Sequence, residues 1–220
     1  MKKLINKIYS DHLDFWNKKR GKSFMLSTIL LLSALLIQKF ADDYVAGTIG
    51  IPVGDIFLNH LPTVDIDFLI IQGALILTFI IIALLLIQPK YLNFTVKALA
   101  LFIIIRSFFI SLTHLGVNAN QLPLDVNSTG FWLYNILYNS KGDFFFSGHT
   151  GLPFLMALIF WQEKFWRYLF LAVSFILGVS VLLAHIHYSI DVFAAPFMTY
   201  SIFALTRLLW PDDLPDKINP

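Results

Sequence analysis

Long apolar blocks alternate with short polar segments along the chain, and this pattern predicts membrane-spanning helices. Six such blocks can be read, at about 24–40, 66–88, 96–116, 144–161, 168–187 and 190–210. A helix needs about 20 apolar residues to cross a bilayer core of roughly 30 Å, which most of the blocks supply. The fourth block is the shortest. Pro153 falls in its first turns, where proline is tolerated, and we expect Pro196 to kink the sixth.

The first 22 residues carry seven Lys or Arg residues, with apolar side chains on one side of a possible helix. This pattern predicts an amphipathic helix in the headgroup layer. The alternative is a cationic tail that only retains the N-terminus in the cytoplasm. We therefore predict an all-α integral membrane protein: an interfacial segment at 1–22, a six-helix transmembrane bundle at 23–212 and a cytoplasmic tail at 213–220.

Composition agrees with a membrane protein, since 57% of the residues are hydrophobic, 14% are charged and the mean hydropathy is +0.72. Soluble domains carry about 25% charged residues. The net charge of +2 and the lack of a basic stripe argue against nucleic acid as a partner. There are no cysteines, which excludes disulfides and thiolate chemistry.

Positive charges predict the orientation of the bundle. They are concentrated in the N-terminal segment and around two loops, as Lys90, Lys97, Lys164 and Arg167. Segment 41–65 has none, and segment 117–147 has only Lys141. The positive-inside rule therefore predicts that both termini are cytoplasmic. His149, His187 and Asp191 then fall together at the extracytoplasmic ends of their spans.

These three residues are the candidate chemistry, because ionisable groups beside membrane spans are costly and usually functional. His187 and Asp191 have the i, i+4 spacing that places side chains on one helical face. A carboxylate there fixes the tautomer of the imidazole, and a second histidine can supply a proton to a leaving group. One carboxylate and no cysteine make a weak ligand set, so neither a metal nor another cofactor is expected.

Two motifs resemble the sphingomyelin synthases, a branch of the type-2 phosphatidic-acid phosphatase superfamily. They are Gly-Asp followed by Phe-Ser-Gly-His-Thr at 142–150, and Ala-His-Ile-His-Tyr-Ser-Ile-Asp-Val at 184–192. Weaker similarities are Arg106 with Thr113 and Leu115, and Leu61-Pro62 with Asp65. The superfamily's Lys-x6-Arg-Pro motif is missing, Val181 stands where its arginine is expected, and Phe146 replaces a proline. These departures favour the sphingomyelin-synthase branch.

The resemblance implies a role for each motif residue. His187 is the nucleophile that forms a phosphohistidine, and Asp191 orients it. His149 protonates the departing lipid alkoxide and then acts as a base. Ser147 and the Gly148 amide are expected to hold phosphate oxygens, because a helix N-terminus favours anions.

A second group of polar residues consists of candidate phosphate or headgroup contacts, namely Arg106, Thr113, His114, Lys141, Asp143, His185 and Tyr188. For Arg106 the alternative is an internal ion pair, for His114 an interfacial position, and for Lys141 and Asp143 a solvated loop. His12 and His60 are expected in the tail and a loop. The aromatic stretch within 118–139 is expected to lie over the site.

The predicted function is transfer or hydrolysis of a phosphorylated lipid headgroup, with a phospholipid or sphingolipid as substrate. Hydrolysis of phosphatidic acid or a polyprenyl phosphate is the close alternative, since the same residues serve a phosphatase if water reaches the phosphoenzyme. A small transporter or proton relay is the alternative of another class. It requires polar residues spread through the bilayer depth, whereas all the candidates except Arg106 collect at one side.

Overall fold

The computed structural model describes residues 2–16, 18–138 and 144–215, and every regular element in these ranges is helical. The α-helices are α1 (Lys2–Phe15), α2 (Lys18–Gly47), α3 (Asp67–Ile87), α4 (Leu92–Leu112), α5 (Phe131–Leu137), α6 (Gly148–Ile159), α7 (Lys164–Leu183) and α8 (Ser189–Leu209). Two 3-10 helices, Pro89–Tyr91 and Pro211–Asp213, precede α4 and follow α8. The predicted all-α fold is confirmed for these ranges.

Five of the described helices, α2, α3, α4, α7 and α8, are long and apolar enough to cross a membrane. Their outward faces carry large exposed apolar side chains, such as Leu32, Phe79 and Phe175. So much contiguous apolar surface fits hydrocarbon and not water. The chain is therefore an integral membrane protein.

The fourth predicted span contains the shorter helix α6. Its 12 residues reach only about 18 Å, less than the bilayer core. Most of its side chains are buried, with α7, α8 and α3 as neighbours and Phe102 of α4 against Gly151. The described residues thus give five full-length candidate spans and one shorter, buried helix, so the fourth of the six predicted spans stays a prediction.

Close packing around α6 depends on Gly151. A methyl group there would lie 2.9 Å from the ring of Phe102 and equally close to Thr199 Oγ1. Two neighbouring helices, α4 and α8, therefore approach the backbone of α6 directly. This packing fixes the position of the inner helix and of the His149 side chain that it carries.

Helix α1 packs against the end of α3 near the 3-10 helix Pro89–Tyr91. His12 Nε2 donates to the carbonyl oxygen of Leu86 at 2.8 Å, and Trp16 Nε1 donates to His12 Nδ1 at 3.2 Å. The last carbonyls of a helix lack partners within it, so His12 satisfies one of them. His12, expected in the tail, thus joins α1 to α3. The placement of segment 1–22 in a headgroup layer stays a prediction.

A buried charge cluster joins α2, α4 and the end of the chain. Lys97 and Asp213 form an ion pair in which both side chains are buried, while Ser23 donates to Asp213 Oδ2 at 2.6 Å and Arg20 lies 3.3 Å from Oδ1. Burial alone would raise the pKa of Asp213, but the hydrogen bonds from Lys97 and Ser23 outweigh it and hold the pKa below its ordinary value. Asp213, the first residue of the predicted tail, is thus anchored in the bundle.

We expect Asp213→Asn to destabilise the protein by about 3–5 kcal/mol, because it leaves the Lys97 ammonium buried without its counter-charge. Thermal unfolding in detergent measures the loss. Combining Asp213→Asn with Lys97→Met should recover most of it.

Asp212→Asn is the matched control, because Asp212 pairs with Lys19 on the surface, where both side chains are about three-quarters exposed. Its effect should stay within about 1 kcal/mol. Equal losses for the two asparagine variants would contradict the buried cluster as the stabilising feature.

Candidate active site

The first motif forms the start of α6. Ser147 is the N-cap residue, and its hydroxyl oxygen accepts from the Thr150 amide at 3.4 Å. Serine is favoured at this position because its side chain satisfies an amide of the first turn. Gly148 and His149 then lie in that first turn, and His149 is 7% exposed. The motif thus presents an imidazole at the amide end of a helix, where the helix dipole favours anions.

The second motif lies in the turn between α7 and α8. The His185 amide donates to Leu182 O at 3.0 Å, and the Ile186 amide donates to Val181 O at 2.9 Å. With His185 at φ 56°, this is a Schellman motif with histidine in the left-handed position that usually favours glycine. The turn ends α7 at Leu183, so the predicted continuation to His187 is wrong.

His187 and Asp191 make the predicted contact, with 3.2 Å between His187 Nδ1 and Asp191 Oδ2. The helical-face explanation is wrong, because α8 begins at Ser189 and His187 precedes it. Asp191 lies in the first turn of α8, and its Oδ2 also accepts from the Tyr188 amide at 3.0 Å. The carboxylate thus caps α8 and accepts a hydrogen bond from the Nδ1–H group of His187, which leaves Nε2 with a lone pair.

A backbone hydrogen bond joins the two motifs: the Ser147 amide donates to the carbonyl oxygen of Asp191 at 2.9 Å. It holds the start of α6 against the start of α8. The rings of His149 and His187 lie with their centroids 6.2 Å apart. His187 is 4% exposed and Asp191 is completely buried. Both imidazoles and the carboxylate therefore occupy one enclosed site, as the two motifs predict.

Two tyrosines of the aromatic stretch cover His149. Tyr134 lies on α5 and its hydroxyl is 3.0 Å from His149 Nε2, while Tyr138 stacks on Tyr134 with the ring centroids 5.5 Å apart. The Tyr138 hydroxyl is hydrogen-bonded to Thr78 of α3. The prediction that this stretch lies over the site is confirmed for α5. The specific role of Tyr134 was missed, because its contact depends on how α5 docks on α3.

Arg106 of α4 lies beside the start of α6. Its Nε donates to the carbonyl oxygen of Phe146 at 2.9 Å, and its guanidinium carbon is 3.5 Å from where a side chain on Gly148 would begin. Arg106 is thus placed next to the Ser147–Gly148 segment. The site has a fixed positive charge at the helix terminus that suits an anion.

Other candidates serve the scaffold around the site. Thr113 donates to Phe144 O at 2.9 Å, and the Tyr188 hydroxyl donates to Gly116 O at 2.8 Å. His114 is exposed and its ring packs on Tyr44, so the structure does not bring it to the histidine pair. Lys141 and Asp143 lie outside the described residues.

His185 is buried at 2% exposure, and among the described residues neither of its ring nitrogens has a hydrogen-bond partner. Burying a polar group without a partner is unfavourable. The same is true of Asp191 Oδ1. These two groups retain hydrogen-bonding capacity inside the bundle, close in sequence to His187.

Asp55, a residue that sequence reasoning missed, supports the second motif from the loop before α3. Its Oδ2 accepts from the Ser189 amide at 2.7 Å, and its Oδ1 accepts from the amides of Phe57 and Leu58. Burial alone would raise the pKa of Asp55, but these hydrogen bonds, led by the one from Ser189, hold the pKa below its ordinary value. Asp55 therefore fixes the start of α8 from a segment far away in the chain.

No group of three metal-ligating side chains lies together in the described part of the chain.

Residues 141–208 match the family model described as PAP2 superfamily, C-terminal. The match supports the type-2 phosphatidic-acid phosphatase superfamily. The matched segment includes both motifs, helices α6 and α7 and nearly all of α8. Comparison with curated proteins gave no match, and comparison with solved structures gave none. The enzyme class supported is a membrane lipid phosphatase or phosphotransferase.

We expect Asp55→Asn to lower stability by about 1–3 kcal/mol and to lower activity as well, because it removes a charged acceptor from the start of α8. The stabilising contribution of Asp55 is fully present above the pKa that its carboxyl group has in the unfolded chain. It is lost as the pH falls through the lower pKa that the group has in the folded protein. The unfolding midpoints of wild type and variant should therefore converge at low pH. Asp65→Asn is the control, because Asp65 is exposed, and its unfolding midpoint should match wild type. A difference in midpoint between Asp55→Asn and wild type that stays constant down to acid pH would contradict the role of the Asp55 carboxylate.

Proposed function

We propose that this protein transfers or hydrolyses a phosphorylated lipid headgroup through a phosphohistidine on His187, in the manner of the sphingomyelin synthases. The observation that carries the proposal is the enclosed pair of imidazoles, one bound to Asp191 and the other beside the amide end of α6 and Arg106. Both motifs lie within the segment matched by the phosphatase-superfamily model.

In the first step the lone pair of His187 Nε2 attacks phosphorus, and the bond from phosphorus to the lipid oxygen breaks. His149 gives its proton to that oxygen, so that a neutral alcohol leaves. The 3.2 Å contact with Asp191 favours the positive charge that develops on the His187 ring. Covalent catalysis of this kind divides one difficult displacement into two easier ones.

In the second step His149, now neutral, takes a proton from the incoming hydroxyl group. The oxygen attacks phosphorus, the bond to His187 Nε2 breaks, and the imidazole returns to its starting tautomer. His149 recovers its proton, so both halves of the cycle balance. The Tyr134 hydroxyl, 3.0 Å from His149 Nε2, orients the His149 ring. When a substrate oxygen binds Nε2, the tyrosine hydroxyl must move away or share this nitrogen with the substrate.

Negative charge on the phosphoryl group is met by Arg106 and by the amides at the start of α6. A preorganised cation and backbone amides stabilise developing charge without reorganisation during the reaction. Val181 stands where the superfamily motif has arginine, and Arg106 supplies a guanidinium from a different helix. We assign Arg106 as the replacement cation, which keeps the site's positive charge despite the changed motif.

Transfer to a lipid alcohol is favoured over hydrolysis by the low exposure of the site. His149, His187 and Asp191 are at most 7% exposed, so bulk water has little access to a phosphoenzyme. The alternative is hydrolysis of phosphatidic acid or a polyprenyl phosphate. Product analysis with phospholipid in mixed micelles separates these activities, because transfer gives a new phospholipid and hydrolysis releases phosphate or a phosphorylated headgroup.

The alternative from another functional class is a small transporter or proton relay. It needs titratable groups at several depths, whereas His149, His187 and Asp191 are held together at the starts of α6 and α8. Vesicles containing the protein distinguish the two: vectorial uptake without any lipid product would favour the transporter. We further propose that both termini are cytoplasmic and that the histidines face the other side of the membrane.

We expect His187→Gln to abolish turnover, and Asp191→Asn to lower it by about 10²–10⁴-fold because the imidazole loses its oriented tautomer. Incubation with a donor labelled at phosphorus should label wild type with an acid-labile, alkali-stable phosphoenzyme. His114→Gln is the matched control, because His114 packs on Tyr44, and it should retain labelling and turnover. Full activity in a folded His187→Gln variant would defeat the mechanism.

His185→Gly separates the turn that His185 forms from the imidazole that it carries. Glycine suits the left-handed position, so the variant should fold at least as well as wild type, whereas His185→Ala keeps the strain of a side chain there and should be about 1 kcal/mol less stable than His185→Gly. If the imidazole contacts the substrate, we expect both variants to raise the KM for the lipid donor by about tenfold, the loss of one hydrogen bond. A glycine variant with the wild-type KM would show that the residue serves the turn alone.

A further inference from the structure

A cavity of about 340 Å³ lies where the start of α2 meets the end of α8. Its lining combines four basic side chains, Lys19, Arg20, Lys22 and Lys97, with Asp212 and Asp213. The neighbouring 3-10 helix Pro211–Asp213 closes one side. The cavity is built from the two terminal regions of the bundle, and no step of the proposed reaction uses it.

The cavity carries an excess of positive charge. Its four basic groups exceed its two carboxylates, which leaves a formal charge of +2. At the buried floor Asp213 forms ion pairs with Lys97 and with Arg20, which lies 3.3 Å from Oδ1. At the mouth, Lys19 pairs with Asp212 at 3.1 Å, but both side chains are about three-quarters exposed, and such pairs are weak enough to exchange partners. The mouth therefore suits an anion.

The same cavity has an apolar wall. Leu26, one turn beyond Lys22 on α2, and Leu209 at the end of α8 both line it. They are 42% and 50% exposed, so the wall continues onto the lipid-facing surface of the bundle. Trp210 completes the lining and lies under the Lys97 ammonium, 5.5 Å from its ring. Tryptophan at such a boundary is typical of the level of lipid headgroups.

The cavity is well separated from the candidate active site along α8. This helix begins at Ser189, beside His187, and ends at Leu209, which lines the cavity. Its 21 residues extend about 30 Å, so the two sites lie at opposite ends of a membrane-spanning helix. The cavity is at the end that the charge distribution predicts to be cytoplasmic.

We propose that this cavity binds the headgroup of an anionic phospholipid of the surrounding leaflet, with the exposed Lys19 and Lys22 on the phosphate and Leu26 and Leu209 against an acyl chain. Basic pockets between transmembrane helices bind such headgroups. The shared chemistry is a phosphate group, and the apolar wall favours a phospholipid over free phosphate. This lipid is a structural ligand, distinct from the substrate.

The test measures the unfolding midpoint of the full chain in mixed micelles of detergent and phosphatidylcholine with increasing phosphatidylglycerol. Wild type should show a saturable rise. The Lys19→Gln/Lys22→Gln double variant should need about 30-fold more phosphatidylglycerol, as expected for two basic contacts. Both side chains are exposed, and the midpoint in phosphatidylcholine alone checks that folding is intact.

Lys90→Gln/Lys164→Gln is the matched control, since it removes two exposed positive charges elsewhere and should respond like wild type. Equal weakening in both double variants would overturn the proposal, because the response would then reflect general attraction to an anionic surface. A third series replaces phosphatidylglycerol with inorganic phosphate at the same concentration. The same saturable rise there would also overturn it, in favour of a free-anion site.

Discussion

The candidate site depends on one backbone hydrogen bond, from the Ser147 amide to the Asp191 carbonyl. It holds the start of α6 against the start of α8, and each of these helix starts carries one half of the chemistry. Because Asp191 also binds His187 through its side chain, a single residue connects all three active groups. The Ser147 hydroxyl caps α6 while its amide makes the link, so local helix formation and assembly of the site coincide.

The surroundings of this link are built to hold the helix ends in place. Loop amides satisfy the terminal carbonyls of α7: Val64 donates to Leu183 O at 2.9 Å, and Leu122 donates to Ala184 O at 3.2 Å. At the start of α8 the loop supplies an acceptor: the Asp55 carboxylate accepts a hydrogen bond from the Ser189 amide. Buried backbone groups at helix ends need such partners, which here come from the loops. The loops thus determine where His187 stands.

Helices whose ends coincide with a change from apolar to polar residues could be predicted closely. The expected spans 66–88 and 190–210 differ from α3 and α8 by no more than one residue at each end. Helix α2 extends beyond its predicted span because the prediction followed the apolar block, whereas a helix can continue into polar flanks such as Lys18–Lys22. The turn that ends α7 could not be predicted, because histidine holds the left-handed position where a glycine would have signalled it.

For the candidate site, His149, His187 and Asp191 could be selected from the sequence. The contact between His187 and Asp191 was predicted for the wrong reason, since the two residues do not share a helix. Tyr134 and Asp55 reach the site only through tertiary packing. No local sequence pattern predicts contacts of this kind. Arg106 was selected as a candidate because charged residues deep in a membrane span are costly and usually functional. Its position beside Gly148 could not be predicted, because it depends on how α4 packs against the start of α6.

The Asp55–Ser189 hydrogen bond spans 134 positions of sequence, which has a consequence for biosynthesis. Asp55 emerges from the ribosome long before its partner, and the loop amides of Val64 and Leu122 likewise emerge before the end of α7 with which they pair. Contacts of such high sequence separation form late and impose a large loop-closure cost. Membrane insertion of the early helices therefore precedes assembly of the candidate site, which is completed only when α8 is in place.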